Sequence, residues 1–480
     1  MKADDQYEVV IGLEVHAQLL TNSKLFCGDT TVFGQEANTQ VSAISLAHPG
    51  TLPMMNKDAI RLAVTLGLAT QSEIVQRNYF ARKNYFYPDL PKGYQISQHT
   101  TPICKGGQVE IVVGNEKKAI QLNRIHMEED AGKSIHDSGS EFTQLDFNRA
   151  GTPLLEIVTE PDLRSADEAA AYVTTLRKLV RHLGVCDGNM EEGSLRCDVN
   201  ISVRKKGDEK LGTKVEIKNL NSVRFIKKAI EYESGQLIQK LEKGEPILQQ
   251  TKGLDDATFT TYVIRTKEDE DDYRYFPEPD LPPFFISDEY IQSIREGMPP
   301  LQSEIKEKLI TDFQLSSYDA TLLAEDTELA NLFFAISKQT KNYKAAANWT
   351  IGPIKNHLGQ EEAEGTSGIN PSSIAELIEL IDEGVISYGI ATQKIFPQIL
   401  NNPTTNIRQY INEEKLQLQS ADETESLIEA ALTKHAQKIT EYKKGKKGLL
   451  SLFVGEVMKA SKGKANAEEV TKKLLEKLNQ

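Results

Sequence analysis

The sequence predicts a multidomain protein in which a large α+β domain, built on a mixed or antiparallel β-sheet, precedes two all-α domains. The chain has 480 residues, more than one ordinary hydrophobic core requires. Short alternating runs rich in β-branched residues fill its first part, whereas apolar residues at helical spacing fill the rest. Proline clusters separate the part with strand patterns from the part with helical patterns. We therefore expect an α+β domain, a helical domain and a small helical tail domain at residues 1–295, 296–410 and 411–480.

The first domain contains both strand and helix patterns. Alternation typical of strands with one buried face occurs in YEVVIGLEVHAQL, QVEIVVG, LEIVTE, DVNISVR and KVEIKN. Helical spacing predicts helices over 57–69, 165–183 and 222–243. The second of these begins at Ser165, with Glu168 three positions on in the pattern of a capping box, and ends at Gly184.

The part of the chain after the proline clusters is helical throughout. Short polar segments separate stretches with helical spacing at 302–313, 319–340, 343–357, 371–383 and 386–398. The sequence Asn401-Asn402-Pro403 marks a further break, and the last segment, 422–480, is helical and rich in lysine. This pattern predicts the two all-α domains.

Charge is distributed unevenly along the chain. The net charge of −14 argues against a general affinity for nucleic acid. The last forty residues, however, hold ten lysines and five glutamates, a local charge of +5 on a body that carries −19. A basic tail on an acidic body is typical of a protein whose tail contacts phosphates, and a solvated helix face is the alternative.

Several features predict a cytoplasmic protein that does not enter a membrane. The N-terminus goes into a strand-like run without a secretory or transit segment. No apolar run approaches the roughly 20 residues needed to span a bilayer. The four cysteines lie far apart without a CxxC pair, so we expect neither a disulfide framework nor a closed zinc site.

Polar side chains occupy one face of four predicted strands. Glu14 and His16 are two residues apart and therefore point to the same side of a strand. The other strands carry Glu156 in LLEIV, then Arg196, Asp198 and Asn200 in LRCDVNI, and Glu216 and Lys218 in VEIKN. An exposed strand face would explain any one of these alone, but acids opposite one another in a sheet repel. A divalent cation would relieve that repulsion, and carboxylates with one imidazole suit magnesium or manganese.

The segment HMEEDAGK, residues 126–133, crowds His126, Glu128, Glu129 and Asp130 in front of a turn. A solvated acidic loop is one interpretation. Because the neighbouring strands already carry carboxylates, we expect the segment to supply ligands or water-binding groups to the same metal site.

Two further segments have a distinctive composition. RKNYFYPDLPKGYQISQ, residues 82–98, interleaves basic and aromatic residues, which suits a single-stranded nucleic-acid end because rings stack on bases and cations hold phosphates. An aromatic core loop is an equally good interpretation. The acidic run from Glu268 to Asp272 is typical of a solvated loop.

Several catalytic motifs are missing from the sequence. It has no GxxxxGK[ST], so any use of ATP would not rely on a P-loop. It also has no GxSxG elbow, no HExxH, no Gly/Ser-rich amidase signature and no cysteine beside a candidate histidine. A glutaminase activity of this chain is therefore not expected.

Longer motifs, in this order, resemble the B subunit of the glutamyl-tRNA(Gln)/aspartyl-tRNA(Asn) amidotransferase, the GatB family. They are IGLEVHAQL, HPGTLPMMN, ARKNYFYPDLPKGYQISQ, HMEEDAGK, DFNRAGTPLLEIVTEPD, MEEGSLRCDVNISVR, EIKNLNS and YRYFPEPDLPP. The tail GLLSLFVGEVMKASKGKAN is similar to the small helical domain that this family shares with a stand-alone relative. The resemblance runs over nearly the whole chain.

This resemblance implies a heterotrimer with an amidase A subunit, which releases ammonia from glutamine, and a small C subunit that wraps the other two. The B subunit would bind Glu-tRNA(Gln) and/or Asp-tRNA(Asn) and use ATP and Mg²⁺ to activate the side-chain carboxylate as an acyl phosphate. Ammonia would then displace the phosphate. The N-terminal domain, called a cradle in this family, would carry the kinase-like site, and the helical and tail domains would hold the tRNA.

The resemblance and the strand pattern together identify candidate site residues. Around the metal we expect Glu14, His16, Glu129 and Glu156 as catalytic residues, with Asp198 and Glu216 as further metal ligands. To contact the nucleotide, its phosphates or the substrate carboxylate we expect Arg149, Arg196, Lys218 and Asn200. Some relatives carry a cysteine zinc site in the cradle, which the scattered cysteines of this chain do not favour.

Two other functions fit part of the sequence. A magnesium-dependent nuclease or phosphohydrolase acting on RNA would share the acidic cluster and the basic tail but would need no ATP. A non-catalytic tRNA-binding scaffold would keep its activity after Glu156→Gln. The carboxylate-bearing strands favour catalysis, and the ordered motifs favour the amidotransferase.

Overall fold

A computed structural model describes residues 6–114, 116–136, 141–266, 273–359 and 368–479. The chain divides into two compact units, Met1–Pro299 and Pro300–Gln480. The acidic run from Glu268 to Asp272 lies outside the described residues. Within the described ranges, the structure contains no helix long and apolar enough to cross a membrane.

The strands of the described residues all belong to the first unit. They are β1 (Tyr7–Gln18), β2 (Glu73–Ile74), β3 (Arg77–Asn78), β4 (Ala81–Asn84), β5 (Tyr94–Ser97), β6 (Cys104–Lys105), β7 (Gln108–Val113), β8 (Glu116–Glu129), β9 (Lys133–His136), β10 (Thr143–Asp146), β11 (Pro153–Thr159), β12 (Leu195–Lys205), β13 (Val215–Leu220), β14 (Gln250–Leu254), β15 (Thr261–Thr266), β16 (Phe276–Pro277) and β17 (Phe284–Phe285).

Most of these strands form one large sheet. Its order is β15-β14-β13-β12-β1-β11-β8-β5-β4-β16, with β6 and β7 also paired to β8 and β2 paired to β6. Strands β13 and β14 run parallel and the other described pairs run antiparallel, so the sheet is mixed, as the sequence predicts. Strand β1 lies inside the sheet, hydrogen-bonded to β12 on one side and β11 on the other.

Alternate side chains of strand β1 lie on an apolar face and on a polar face of the sheet. Leu13, Val15 and Ala17 are at most 1% exposed, and the helices α2 (Ala166–His182) and α3 (Val223–Glu242) pack on this part of the sheet. The alternate residues, Glu14 and His16, point to the opposite side because strand side chains alternate. The core behind the sheet thus fixes the position of the polar face.

The helices predicted in the first unit are confirmed. Helix α1 spans Lys57–Ala69, and Ser165 and Ser222 are the N-caps of α2 and α3, while α4 covers Asp288–Gly297. The capping box at Ser165 is only half formed: its hydroxyl accepts the Glu168 N–H at 3.1 Å. The Glu168 carboxylate instead accepts the Arg164 N–H, one residue before the cap, at 2.8 Å.

The second unit is helical. Its α-helices are α5 (Gln302–Thr311), α6 (Ser317–Ala324), α7 (Thr327–Ser337), α8 (Tyr343–Trp349), α9 (Lys355–Leu358), α10 (Pro371–Asp382), α11 (Tyr388–Ile390), α12 (Phe396–Asn401), α13 (Ile407–Glu413), α14 (Ala421–Lys434), α15 (Ala436–Lys443), α16 (Leu450–Ala460) and α17 (Ala467–Asn479). Two π-helical turns, Thr350–Ile354 and Ala391–Ile395, join α8 to α9 and α11 to α12.

One predicted helix is divided in the structure. The stretch 319–340 forms α6 and α7, because Asp326 has an extended backbone and its carboxylate caps α7 through the N–H groups of Glu328 and Leu329. Apolar residues of the unit form two clusters, one around Phe333 and Trp349 and one around Phe453. The first cluster extends to Leu416, and the domain boundary at residue 410 stays a prediction.

Candidate active site

The polar face of the sheet brings two groups of ionisable side chains together. The first group contains His16, Glu128 and Glu156, and the second contains Glu14, Asp198 and Glu216. In each group the three residues offer one ligand atom each, and these atoms lie within 4.8 Å of one another. The two groups are adjacent because strand β1 supplies one residue to each. Five of the six residues expected around a metal are therefore brought together.

The first group is built from directly paired strands. Glu156 on β11 lies opposite His16 on β1 and opposite His126 on β8. Its Oε2 atom is 3.4 Å from His16 Nε2 and 3.5 Å from His126 Nε2. Glu128 is 3.6 Å from His126 and accepts a hydrogen bond from the Ser97 hydroxyl at 3.1 Å.

The charges of the first group depend on one another. Burial would raise the pKa of Glu156, but His126 and His16 hold it well below its usual range. Burial would lower the pKa of His126, and the Glu156 and Glu128 carboxylates instead raise it to about 9. Without a metal, the two carboxylates therefore favour the protonated form of His126. A metal ion bound through His16 would need that imidazole in its neutral form.

The second group gathers three carboxylates, with Lys218 and Asn200 against them. Lys218 Nζ is 3.3 Å from Glu216 and 3.8 Å from Asp198, and the Asn200 amide donates to Glu14 at 2.8 Å. Burial and the nearby Glu156 and Asp198 carboxylates raise the pKa of Glu14. A divalent cation bound among the three carboxylates would reduce the repulsion between them.

Both groups fit a hard divalent ion in the chemistry of their donors. Carboxylate oxygens with at most one imidazole match the preferences of Mg²⁺ and Mn²⁺ rather than those of Zn²⁺. The group around His16 supplies two carboxylates and one imidazole, and the group around Glu14 supplies three carboxylates. Burial, with smaller contributions from the Glu156 and Asp198 carboxylates, raises the pKa of Glu14, and a bound cation would lower it.

Adding Mg²⁺ or Mn²⁺ is expected to raise the thermal stability of the first unit, because an ion held by the native carboxylates does not bind the unfolded chain. At an ion concentration a hundred times the Kd, the gain is about 2.7 kcal/mol. Melting curves with MgCl₂, and with NaCl at equal ionic strength as the control, would measure it. An identical melting temperature in both salts would contradict a metal site.

Thr251 supports the second group from β14. Its hydroxyl, in a residue that is 1% exposed, donates to Glu216 Oε2 at 2.8 Å, and the two residues are paired in the sheet. Replacing Thr251 by valine is expected to weaken Mn²⁺ binding 10- to 100-fold, an approximate range for loss of a supporting hydrogen bond. Mn²⁺ titration followed by electron paramagnetic resonance would measure this change. Thr251→Ser keeps the hydroxyl and should retain the affinity, and equal loss in both variants would disprove the orienting role.

The structure does not bring Glu129 to either group. Neighbouring residues of a strand face opposite sides, so Glu128 faces the imidazoles while Glu129 faces away. The Glu129 carboxylate accepts the Ile96 N–H at 2.9 Å and pairs with the Lys92 ammonium. It lines a separate cavity of about 190 Å³. Glu128 thus occupies the position beside the imidazoles that was expected for Glu129.

Both arginines expected at phosphate have protein partners. Arg196 donates to the two oxygens of Asp130 at 2.8 and 2.9 Å. Arg149 donates to backbone carbonyls of the HMEEDAGK turn, at 2.9 Å to residue 131 and at 2.6 Å to Gly132. Gly132 is required there, because a Cβ would lie 2.9 Å from a facing carbonyl oxygen. These arginines hold the turn in place, and their contact with phosphate stays a prediction.

The basic and aromatic segment is partly packed and partly exposed. The Arg82 guanidinium pairs with Glu278 at 2.7 Å and lies 4.2 Å from the centre of the Tyr94 ring, so it is part of the folded structure. Phe86 and Tyr87, by contrast, are 86% and 57% exposed. Each of the two interpretations of this segment therefore describes part of it.

An aromatic cluster borders the first group. Lys83 Nζ lies 5.0 Å from the centre of the Tyr273 ring, and the rings of His99 and Tyr275 stack at 4.0 Å. Burial opposes the charge of Lys83, but the Glu128 carboxylate, with smaller contributions from Tyr275 and Glu156, raises its pKa. In the sequence, Lys83 belongs to the basic and aromatic segment, and no local pattern places it near the carboxylates. Pairing of β4 with β5, and of β5 with β8, brings it there.

Comparison with known proteins identifies the family of this chain. The family model described as the GatB/GatE catalytic domain matches residues 9–292, and the one described as the GatB domain matches residues 331–478. The B subunit of the aspartyl/glutamyl-tRNA(Asn/Gln) amidotransferase of Persephonella marina is 48% identical over 478 residues, covering 98% of this chain and 100% of the relative. Its counterpart in Thermodesulfovibrio yellowstonii is 46% identical, covering 97% of this chain and 98% of the relative.

A third relative, the corresponding protein of Geotalea daltonii, is 46% identical over 477 residues and covers 98% of this chain and 99% of the relative. The catalytic-domain model alone covers more than half of the chain. The chain therefore belongs to the GatB family, the B subunits of aspartyl/glutamyl-tRNA(Asn/Gln) amidotransferases.

Proposed function

We propose that this chain is the subunit of a tRNA-dependent amidotransferase that activates and amidates the substrate. It would use ATP and Mg²⁺ to phosphorylate the side-chain carboxylate of Glu-tRNA(Gln) and/or Asp-tRNA(Asn), and would then transfer ammonia to it. The observation that supports this most strongly is the pair of adjacent ligand groups on one sheet face, each with its ligand atoms within 4.8 Å. Such a face suits a substrate that brings several phosphates.

The reaction needs an activated carboxyl group because a carboxylate is a poor electrophile. One carboxylate oxygen of the substrate attacks the γ-phosphorus of ATP, and ADP leaves. Ammonia then attacks the acyl carbon, phosphate leaves, and the new amide nitrogen gives up a proton. When bound, Mg²⁺ supplies charge neutralisation and alignment for the phosphoryl transfer.

The residues of the polar face divide into ligands and flanking cations. The ion or ions would be held by His16, Glu128 and Glu156 and by Glu14, Asp198 and Glu216. Lys218 lies against the second group, and Lys83 lies near Glu128 of the first. These two ammonium groups would hold phosphate oxygens or the substrate carboxylate by direct charge pairing.

The tRNA would contact the protein in two ways. Its single-stranded 3′ end would reach the aromatic cluster around Lys83, Tyr273 and Tyr275, where rings stack on bases. Its backbone would contact exposed lysines of the second unit, such as Lys443 and Lys444. As partners we propose the amidase A subunit, which supplies ammonia, and the small C subunit, and the cytoplasmic location stays a prediction.

The test uses the chain assembled with its A and C subunits, and with ammonium chloride replacing glutamine. Given ATP, Mg²⁺ and Glu-tRNA(Gln), we expect Gln-tRNA and ADP to appear in equal amounts. Shortened tRNA without ADP would favour the nuclease. Tight tRNA binding without either product would favour the scaffold.

A further inference from the structure

Strand β13 contains one extra residue where it passes the second group. The register of β13 against β12 shifts between Cys197 and Val199, so that Lys218 and Asn219 both lie opposite Asp198. Two residues opposite one is the arrangement of a β-bulge. The backbone of Asn219 has a φ of 60°, in the left-handed region that asparagine and glycine adopt more readily than other residues.

The bulge directs a backbone N–H group at a carboxylate. The Asn219 N–H donates to Oδ1 of Asp198 at 2.9 Å, and because Asp198 is only 6% exposed, this charge-assisted hydrogen bond is shielded from water. The other oxygen of Asp198, Oδ2, lies 3.8 Å from the Lys218 ammonium, which also contacts Glu216 at 3.3 Å. The bulge therefore fixes the orientation of the Asp198 carboxylate, with one oxygen on the backbone of β13 and the other on the side of Lys218.

The other two carboxylates of the second group are oriented in a similar way. Oε1 of Glu14 accepts a hydrogen bond from the Asn200 amide at 2.8 Å, and Oε2 of Glu216 accepts one from the Thr251 hydroxyl at 2.8 Å. One oxygen of each carboxylate is thus held by an uncharged donor, and for Asp198 that donor belongs to the backbone. Hydrogen bonds of this kind orient carboxylates that bind metal ions.

We propose that Asn219 is a positioning residue of the second group, and that its left-handed backbone orients Asp198 as a ligand of the divalent cation. The inference rests on the proposed function, since it takes the second group to bind Mg²⁺. The side chain of Asn219 is exposed, so the requirement is on the backbone conformation of this residue. Asn219 acts through Asp198 and does not itself contact the ion.

The same bulge also serves the apolar core. An extra residue reverses the alternation of the side chains that follow it, and Leu220 accordingly lies opposite Cys197 and is 2% exposed. In a regular strand, Leu220 would lie on the same face as Glu216 and Lys218. Loss of the bulge would therefore lower the stability of the fold even if Asp198 bound no ion.

Substitutions that differ in their tolerance of a left-handed backbone test the proposal. Mn²⁺ titrations of the full chain, followed by electron paramagnetic resonance, would measure the affinity. Asn219→Gly should bind Mn²⁺ as the unchanged chain does, because glycine adopts this conformation readily. Asn219→Val should weaken the binding of one Mn²⁺ ion about 10- to 100-fold, since a β-branched residue disfavours it. Asn219→Ala should lie between the two, and it replaces Asn219→Val in the comparison if the valine variant does not fold.

Two controls separate the orientation of Asp198 from general destabilisation. Leu220→Ala removes the core contact and keeps Asn219, so it should lower the melting temperature without changing the affinity for Mn²⁺. Gln71→Val places valine at another left-handed position, with a φ of 58° in the turn between α1 and β2, and should have the same two effects.

Three outcomes overturn the inference and leave the proposed function standing. The first is a lowered melting temperature with unchanged Mn²⁺ affinity in Asn219→Val, or in Asn219→Ala where that variant takes its place. The second is equal loss of affinity in Leu220→Ala, which would assign the effect to packing. The third is equal loss in Asn219→Gly, which would assign it to the side chain. Failure of the unchanged chain to bind Mn²⁺ would overturn the metal-dependent function and this inference with it.

Discussion

Replacing Glu156 by glutamine is expected to lower the rate of Gln-tRNA formation about 100- to 1,000-fold, the range for losing a charged group that stabilises the transition state. Glutamine keeps the size of the side chain but cannot carry the negative charge that lies between His16 and His126. Ion binding and the arrangement of both imidazoles would be disrupted together. Gln-tRNA and ADP, measured in the ammonium-dependent reaction, would both decrease.

A matched control and a binding measurement make this prediction specific. Glu110→Gln changes an exposed carboxylate on β7 and should leave the rate unchanged. Filter binding should show that Glu156→Gln still holds tRNA. Loss of tRNA binding equal to the loss of activity would overturn the catalytic role, and a normal rate would favour the scaffold.

Removing the positive charge of the second unit is expected to produce the next largest effect, on tRNA affinity. Replacing the exposed lysines 443, 444, 446 and 447 by glutamine should weaken binding and flatten its dependence on salt. The slope of log K against log salt should fall by about 0.7 to 0.9 for each phosphate that the variant no longer neutralises. Fluorescence anisotropy with labelled tRNA at several salt concentrations would measure both.

This variant is better than a truncation of residues 411–480. Ile411 and Leu416 belong to the apolar cluster around Trp349, so truncation would damage the packing of the helices that remain. As the control, four exposed lysines of the first unit are replaced instead, at positions 105, 117, 205 and 206. Equal loss of affinity in both variants would mean that net charge, rather than the tail, attracts the tRNA.

The order of strands and helices could be read from the sequence because each depends on local periodicity. The alternation of Leu195, Cys197 and Val199 with polar residues already separates the two faces of β12. The division at Asp326 was not predicted, because helical spacing continues across it and a capping side chain overrides that spacing only in the folded chain.

The site could be predicted less completely, because it depends on pairing between distant strands. HMEEDAGK contains two adjacent glutamates, and because its first residues continue β8 instead of forming a loop, Glu128 and not Glu129 lies on the same face as His126. Arg196 and Arg149 resemble phosphate ligands in the sequence, yet Asp130 and the carbonyls of the turn engage them in the fold. A charged residue type indicates the chemistry available, and tertiary contacts decide its partner.

The two groups of candidate ligands share strand β1, and this sharing sets the distance between them. Glu14 and His16 are two residues apart, which is about 7 Å along a strand. Movement between domains cannot change that distance, because it is fixed by covalent geometry and by hydrogen bonds on both sides of β1. Inserting or deleting one residue between Val10 and His16 would turn charged side chains into the core. Natural variation in this strand is therefore expected in the identity of its apolar residues and not in its length.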